Sequence, residues 1–204
     1  MFSGHQVTRE FEAELCRYTG AKYAVTTTSC TTAIMLALAW WHRQDGPQSL
    51  LIPRQTYIGV PSAVRNAGHR IVFYGLEWIE NYPIETMNGT VRDCAWHLKP
   101  SMYRTGEMMC LSFHWTKPLG LGQGGAILHD NPVADAWLRK ARFDGRTEGV
   151  APEDDEIQYP NWHAYMNPET AATGLMRLQA RAFRTDRTAS WGDYPDISQQ
   201  KAFK

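Results

Sequence analysis

Apolar residues at the start of the chain recur with a helical period. Val7, Phe11, Leu15 and Tyr18 lie four, four and three positions apart, and Gly20 follows as a stop signal. A short strand is predicted at Tyr23-Ala24-Val25, then a run of small and hydroxylated residues from Thr26 to Thr32, then an apolar helix from Ala33 to Trp41. The alternation continues with a buried strand at Leu50-Leu51-Ile52 that Pro53 ends. A helix over 58–67 carries Pro61 in its first turns and Gly68 after it, and a strand follows at Ile71-Val72-Phe73. Residues 75–89 show no period that types them. Further strands are predicted at Cys94-Ala95, Met108 to Phe113 and Ala126-Ile127-Leu128, the last after a glycine-rich stretch at 120–125. Asn131-Pro132 and Asn167-Pro168-Glu169 open two helices, the second predicted to run to about Arg187. Residues 143–165 are polar and irregular, and the end after Ser190 reads as frayed. Strands alternating with helices predict an α/β fold.

Composition narrows the function classes. With 204 residues and 43% hydrophobic content, the chain supports a packed core of one to one and a half domains without a disulfide or metal staple. Lys+Arg and Asp+Glu both number 21, which argues against a coat for nucleic acid or an anionic membrane and leaves room for a local basic patch. Cys16, Cys30, Cys94 and Cys110 are widely spaced, as in a reducing compartment, and a cytoplasmic location is expected. No leader is expected, because the helical pattern begins almost at once, and no run approaches the ~20 apolar residues of a membrane span. His97, His114 and His163 have no ligand spacing, so no metal is expected.

Two strings carry candidate chemistry. Gly120-Leu121-Gly122-Gln123-Gly124-Gly125 fits G-x-G-x-x-G, but a dinucleotide fingerprint needs a preceding strand and a following helix, and here a strand follows. Just before it stands Ser112-Phe113-His114-Trp115-Thr116-Lys117, where a lone lysine after a strand is by itself an ordinary surface residue.

Several segments in the same order give these strings a context. Residues 11–25, with Phe11, Glu12, Glu14, Leu15, Tyr18, Gly20 and Tyr23-Ala24-Val25, resemble the opening helix and strand of the DegT/DnrJ/StrS family of pyridoxal-phosphate sugar aminotransferases. Thr28-Ser29-Cys30-Thr31-Thr32-Ala33 is similar to the family's SSGTAALHLAL element, and Ile52-Pro53 with Thr56-Tyr57 and Ala63-Val64 to the strand and helix that follow. Val91-x-Asp93-Cys94-Ala95 resembles EDAAQ. Ser112-Phe113-His114-x-Thr116-Lys117 with Gly122-Gln123-Gly124-Gly125-Ala126 resembles SFHPTKxxxxGEGGA, and residues 166–178 resemble the closing helix.

The resemblance implies a three-layer fold, a mainly parallel sheet flanked by helices, with residues 1–190 as a single reduced cofactor domain and 191–204 as a tail. It implies pyridoxal 5'-phosphate as cofactor, with pyridoxamine phosphate carrying the amino group between half-reactions. Lys117 would bond the cofactor aldehyde and move the substrate proton, and Asp93 would pair with the ring nitrogen. Cys30, Thr31 and Thr32 at a helix start, with Ser112, would hold the phosphate. Tyr57 would stack on the ring, Trp96 and His114 would stand beside it, and His163 or Asn161 would reach a partner subunit's phosphate. An amino donor such as glutamate or glutamine, a keto acceptor, by resemblance a nucleotide-linked sugar, and a homodimer sharing its active site are implied. Retention of Lys117 favours transamination over the family's dehydratase branch.

The chain also departs from the pattern. Cys30 replaces the glycine of the phosphate turn, Trp96 a glutamine, Tyr165 an arginine and Gln123 a glutamate. A long insert before Asp93 and a C-terminal domain are expected to be missing, which predicts a more open pocket or one covered by a partner. Two alternatives therefore accompany the aminotransferase reading: an open pocket acting on a modified nucleotide or nucleic-acid base, and a non-catalytic subunit. Arg177, Arg181, Arg184 and Arg187 are a solvated face or a rim for an anionic substrate.

Overall fold

A computed structural model of the chain describes residues 4–158 and 161–203. Helix α1 (Gly4–Thr19) ends at Gly20, whose φ of +82° suits glycine. Strand β1 (Tyr23–Thr27) leads into α2 (Cys30–Asp45), and β2 (Ser49–Pro53), α3 (Gly59–Asn66) and β3 (Arg70–Tyr74) follow. Next come β4 (Tyr82–Glu85), β5 (Thr90–Asp93), β6 (Glu107–Ser112), β7 (Gly125–His129), α4 (Pro132–Ala141) and α5 (Pro168–Gln179). Asn131 and Asn167 cap α4 and α5, each side chain accepting two N–H groups of the first turn.

The five-stranded sheet has the order β1-β7-β6-β5-β4, and β2 and β3 form a separate parallel pair. Side-chain alternation splits the core into two layers. Val25, Val91, Met108, Cys110 and Ile127 pack against α2, α3 and α4; Ala24, Met109, Leu111, Ala126 and Leu128 pack against α1 and α5. The three-layer α/β arrangement is therefore as expected, but the sheet is mixed where a mainly parallel one was expected. Within it only β5–β6 is parallel, while β1–β7, β6–β7 and β4–β5 are antiparallel. The cause at β4–β5 is length: residues 86–89 alone join the two strands, enough for a hairpin, whereas a parallel crossover needs about a dozen residues or more. This hairpin fills the stretch that periodicity left untyped.

Three boundaries differ from the sequence pattern. Cys94 and Ala95 lie beyond β5, because the Asp93 carboxylate accepts the Ala95 N–H at 2.9 Å and turns the chain. Helix α5 stops at Gln179 rather than near Arg187: Arg181 takes φ +53°, Phe183 packs on Tyr18, and the Arg184 N–H bonds Pro118 O at 2.7 Å. Tertiary contacts override helix propensity there. The segment after Ser190, read as frayed, instead forms 3-10 turns at Trp191–Asp193 and Lys201–Phe203 and docks on the body. The Ile197 N–H bonds Arg54 O at 2.9 Å, Ile197 is buried, and Phe203 meets Phe73 edge-on.

A buried ionic cluster ties α1, β1 and α4 together. Arg142, fully buried, donates to the Glu12 carboxylate, to Thr26 O at 2.7 Å and to Glu148 at 2.7 Å; Arg139 donates to Glu12 at 2.7 Å and Asp135 at 2.8 Å. The flanking arginines hold the Glu12 carboxyl below its usual range against the opposing effect of burial.

Candidate active site

The first turn of α2 forms one side of a cavity. The Ser29 hydroxyl caps the helix by accepting the Thr32 N–H at 3.1 Å, and Ser29, Cys30 and Thr31 face the cavity. The start of β7 presses on this turn so closely that a Cβ at Gly125 would lie 2.5 Å from Cys30 N. Cys30 needs no left-handed backbone, so its replacement of a glycine carries no conformational penalty. Its buried thiol points to Cys110 O at 3.5 Å and Asp93 Oδ1 at 4.0 Å, and burial pushes its pKa up.

The loop after β6 carries the lysine. Phe113 N–H bonds Gly124 O at 2.9 Å, Trp115 N–H bonds Gly122 O at 3.1 Å, and Lys117 N–H bonds His114 O at 2.8 Å. Gly122 and Gly124, at φ +98° and +128°, make the return to β7 possible. Arg177 donates to Leu119 O at 3.1 Å and to Gly120 O, tying the loop to α5. Lys117 is thereby projected into a cavity of about 320 Å³, where it faces Asp93.

The two charges are both uncomfortable. Burial, helped by the positive charge of Arg187, brings the Lys117 amine down to about 8, although Asp93 and Cys30 pull the other way. Burial raises the Asp93 carboxyl, opposed by the Ala95 N–H, the Tyr82 hydroxyl and Lys117. Lys117 Nζ lies 3.5 Å from the centre of the Trp96 ring. The Trp96 indole N–H donates to the Tyr194 hydroxyl at 2.9 Å, so Trp96 offers the cavity a face and no free donor.

An aromatic wall completes the cavity. Trp78 stacks near Tyr82 and Tyr194, with centroids 5.0 and 5.5 Å away, and its N–H bonds Gln55 O at 2.9 Å. The docked C-terminal segment holds Tyr194 in place: Trp191 N–H bonds Trp78 O at 3.0 Å, and Ala189 O accepts the Glu80 N–H at 2.7 Å. Glu80 also lines the cavity. Its carboxylate binds Lys99 at 2.7 Å and His97 at 2.7 Å, which holds its pKa below the usual range.

Of the residues singled out from the sequence, Cys30, Thr31, Tyr57, Asp93, Trp96, Ser112, His114 and Lys117 line this one cavity. Thr32 does not; its hydroxyl faces Thr28 and Ser29. His163 is exposed elsewhere, 2.7 Å from Asp144. The four arginines separate: Arg177 binds the loop, Arg181 stacks on Tyr18, Arg184 lies near Trp115, and only Arg187 reaches over Trp96, at 5.2 Å. Sequence reading missed Thr56, Trp78, Glu80, Tyr82 and Tyr194 as cavity residues. The alternation of buried Tyr82 and Ile84 with Pro83 and Glu85 was the available signal for the first strand of the hairpin.

Chemically, the cavity offers a partly deprotonated amine for a carbonyl carbon, a helix start with Ser112 for a phosphate, and a carboxylate for a protonated ring nitrogen. The model of the DegT/DnrJ/EryC1/StrS aminotransferase family matches residues 1–84 and 99–197; the gap covers most of the β4–β5 hairpin and Asp93. No curated protein matches. Among solved structures, AtS13 from Actinomadura melliaura superposes with a TM-score of 0.72 at 19% identity, over 85% of this chain and 59% of its own. The sugar aminotransferase CalS13 from Micromonospora echinospora gives 0.70 at 16% identity, over 86% and 61%. NtdA from Bacillus subtilis, with bound cofactor PMP, gives 0.69 at 18% identity, over 85% and 48%. These likenesses show the fold, and the chain spans between 48% and 61% of the three structures' lengths.

Proposed function

The chain belongs to the DegT/DnrJ/EryC1/StrS aminotransferase family, and from that premise we propose that it is a pyridoxal-phosphate aminotransferase. It would move an amino group from glutamate or glutamine to the keto group of a sugar, in the finer reading a nucleotide-linked one. The observation that carries the proposal is the meeting of Lys117 and Asp93 in one cavity beside Ser112 and the α2 start. The donor set fits the cofactor: an amine of lowered pKa, an anion site and a buried carboxylate, each in contact with the same space. When bound, the cofactor supplies a conjugated ring that withdraws electrons from the reacting carbon.

This chain's residues do the rest. At pH 7 an amine with a pKa near 8 is about a tenth unprotonated, enough for Lys117 Nζ to act as nucleophile and then to hold and return a proton. Asp93, ionised, would hold a proton on the ring nitrogen; Ser112, Cys30 and Thr31 would hold the phosphate. Tyr57 and Trp96 present ring faces, and Trp78 and Tyr194 give the cavity an aromatic wall. His163 or Asn161 would in this reading serve a second subunit of a homodimer, and neither lines the cavity of its own chain.

The test is the visible spectrum of the purified protein with pyridoxal phosphate, before and after glutamate or glutamine. The expected result is a cofactor band that bleaches with donor and returns with a keto sugar. A protein that takes up no cofactor contradicts the proposal.

A further inference from the structure

We propose that Tyr82, backed by Thr56, is a positioning residue that orients the Asp93 carboxylate and keeps it ionised for the cofactor. The inference rests on the reading of Asp93 given above and deepens it. Tyr82 and Asp93 are direct cross-strand partners in the β4–β5 hairpin, so their side chains share a face. The Tyr82 hydroxyl donates to Asp93 Oδ2 at 2.9 Å, and the Ala95 N–H occupies Oδ1 at 2.9 Å. The Thr56 hydroxyl is hydrogen-bonded to the same Tyr82 oxygen. A phenol has one proton, and it goes to Asp93; Thr56 must therefore donate to Tyr82, and the bonds run Thr56 to Tyr82 to Asp93.

All three groups are buried, with 2%, 2% and 7% of the surface of Thr56, Tyr82 and Asp93 exposed, so a lost bond costs more than it would at the surface. Two donors on opposite oxygens fix the plane of the carboxylate. The Cys30 thiol also approaches Oδ1, at 4.0 Å. Trp78, whose ring lies tilted against that of Tyr82 and whose N–H is anchored on Gln55 O, packs the phenol in turn. The arrangement belongs to the short hairpin: the four-residue link that makes β4 antiparallel is what sets Tyr82 opposite Asp93.

The ionisable groups around Asp93 are Lys117 from the loop after β6, Cys30 from α2, Cys94 beyond β5, Cys110 from β6, Tyr82 from β4 and Tyr194 from the C-terminal segment. Tyr82 is the side chain among them that donates to the carboxylate at 2.9 Å. Removing its hydroxyl leaves burial less opposed, so the Asp93 titration moves up.

The experiment compares wild type with Tyr82→Phe and Thr56→Val. The carboxyl titration of Asp93 is read by NMR in cofactor-free protein and assigned with Asp93→Asn. The dissociation constant for pyridoxal phosphate is then measured against pH. Tyr82→Phe keeps the ring and its packing. The expected result is an Asp93 midpoint about one pH unit higher, an acid limit of cofactor binding moved up by the same amount, and about tenfold weaker binding at pH values below the wild-type midpoint. Thr56→Val shifts all three the same way and less. A purely structural tyrosine lowers the melting temperature and leaves the Asp93 midpoint in place, and that result overturns the inference. If the midpoint moves but wild type binds no cofactor, the positioning of Asp93 stands and the proposed function fails.

Discussion

Two places in this chain bury opposite charges, and they behave in opposite ways. In the cluster of Glu12, Arg139 and Arg142, the carboxylate is held below its usual range and the guanidinium groups above theirs. In the cavity, the Lys117 amine is lowered and the Asp93 carboxyl raised. The difference is contact. Arg142 and Glu12 are directly bonded, with Thr26 and Glu148 completing the set, so each charge is stabilised by the other. Lys117 rests on the face of Trp96 and feels Asp93 across open space. The first cluster uses its charge for structure; the second holds two charges without an ion pair on the wall of a cavity, the setting in which perturbed groups point to a functional site.

The largest expected effect comes from the unpaired side. Lys117→Ala should lower aminotransferase turnover by about four orders of magnitude or more while the circular-dichroism spectrum is unchanged. Next is the paired side: Glu12→Ala strands Arg142 and should cost about 3–5 kcal/mol in urea unfolding. Its pH dependence sharpens the contrast. Because the folded Glu12 value is depressed, its contribution is fully present above the ordinary carboxylate value and is lost as pH falls from there through the lower folded value.

For Lys117 the sign reverses. Between about 8 and its ordinary value of 10.5 the unfolded chain holds a proton that the folded chain has released, so stability rises with pH across that window. Lys117→Met should abolish that rise and stabilise the cofactor-free protein at pH 7 by about 1 kcal/mol, allowing for solvent on the open side. The smallest effect is at the wall. Tyr194→Phe removes the acceptor for the Trp96 N–H and should raise the KM for the keto acceptor about threefold with little change in kcat.

The same division decides what was legible in the sequence. The α2 start and the lysine loop are each written in one continuous string, because small residues, positive-φ glycines and a lysine act within a single turn. Eight of the ten residues singled out from such strings line the cavity, and the local chemistry of Thr32 and the exposed position of His163 explain the other two. The wall is assembled from residues 78–82, 96 and 194, which only tertiary packing brings together. Pro83 disguised β4, since proline reads against a central strand; β4 is an edge strand, where proline is tolerated. The C-terminal segment carries few apolar residues, and its docking through Ile197, Tyr194 and backbone bonds left no periodic trace. At the β4–β5 pair, four linking residues at 86–89 force an antiparallel hairpin that element types alone do not specify.

The central claim is that Lys117 is the amine that holds the cofactor. Borohydride reduction of the protein mixed with pyridoxal phosphate, followed by peptide mass spectrometry, tests it most directly. The account predicts one phosphopyridoxyl adduct, on the peptide containing Lys117, and none in Lys117→Ala; an adduct on another lysine, or equal labelling of the variant, would contradict it.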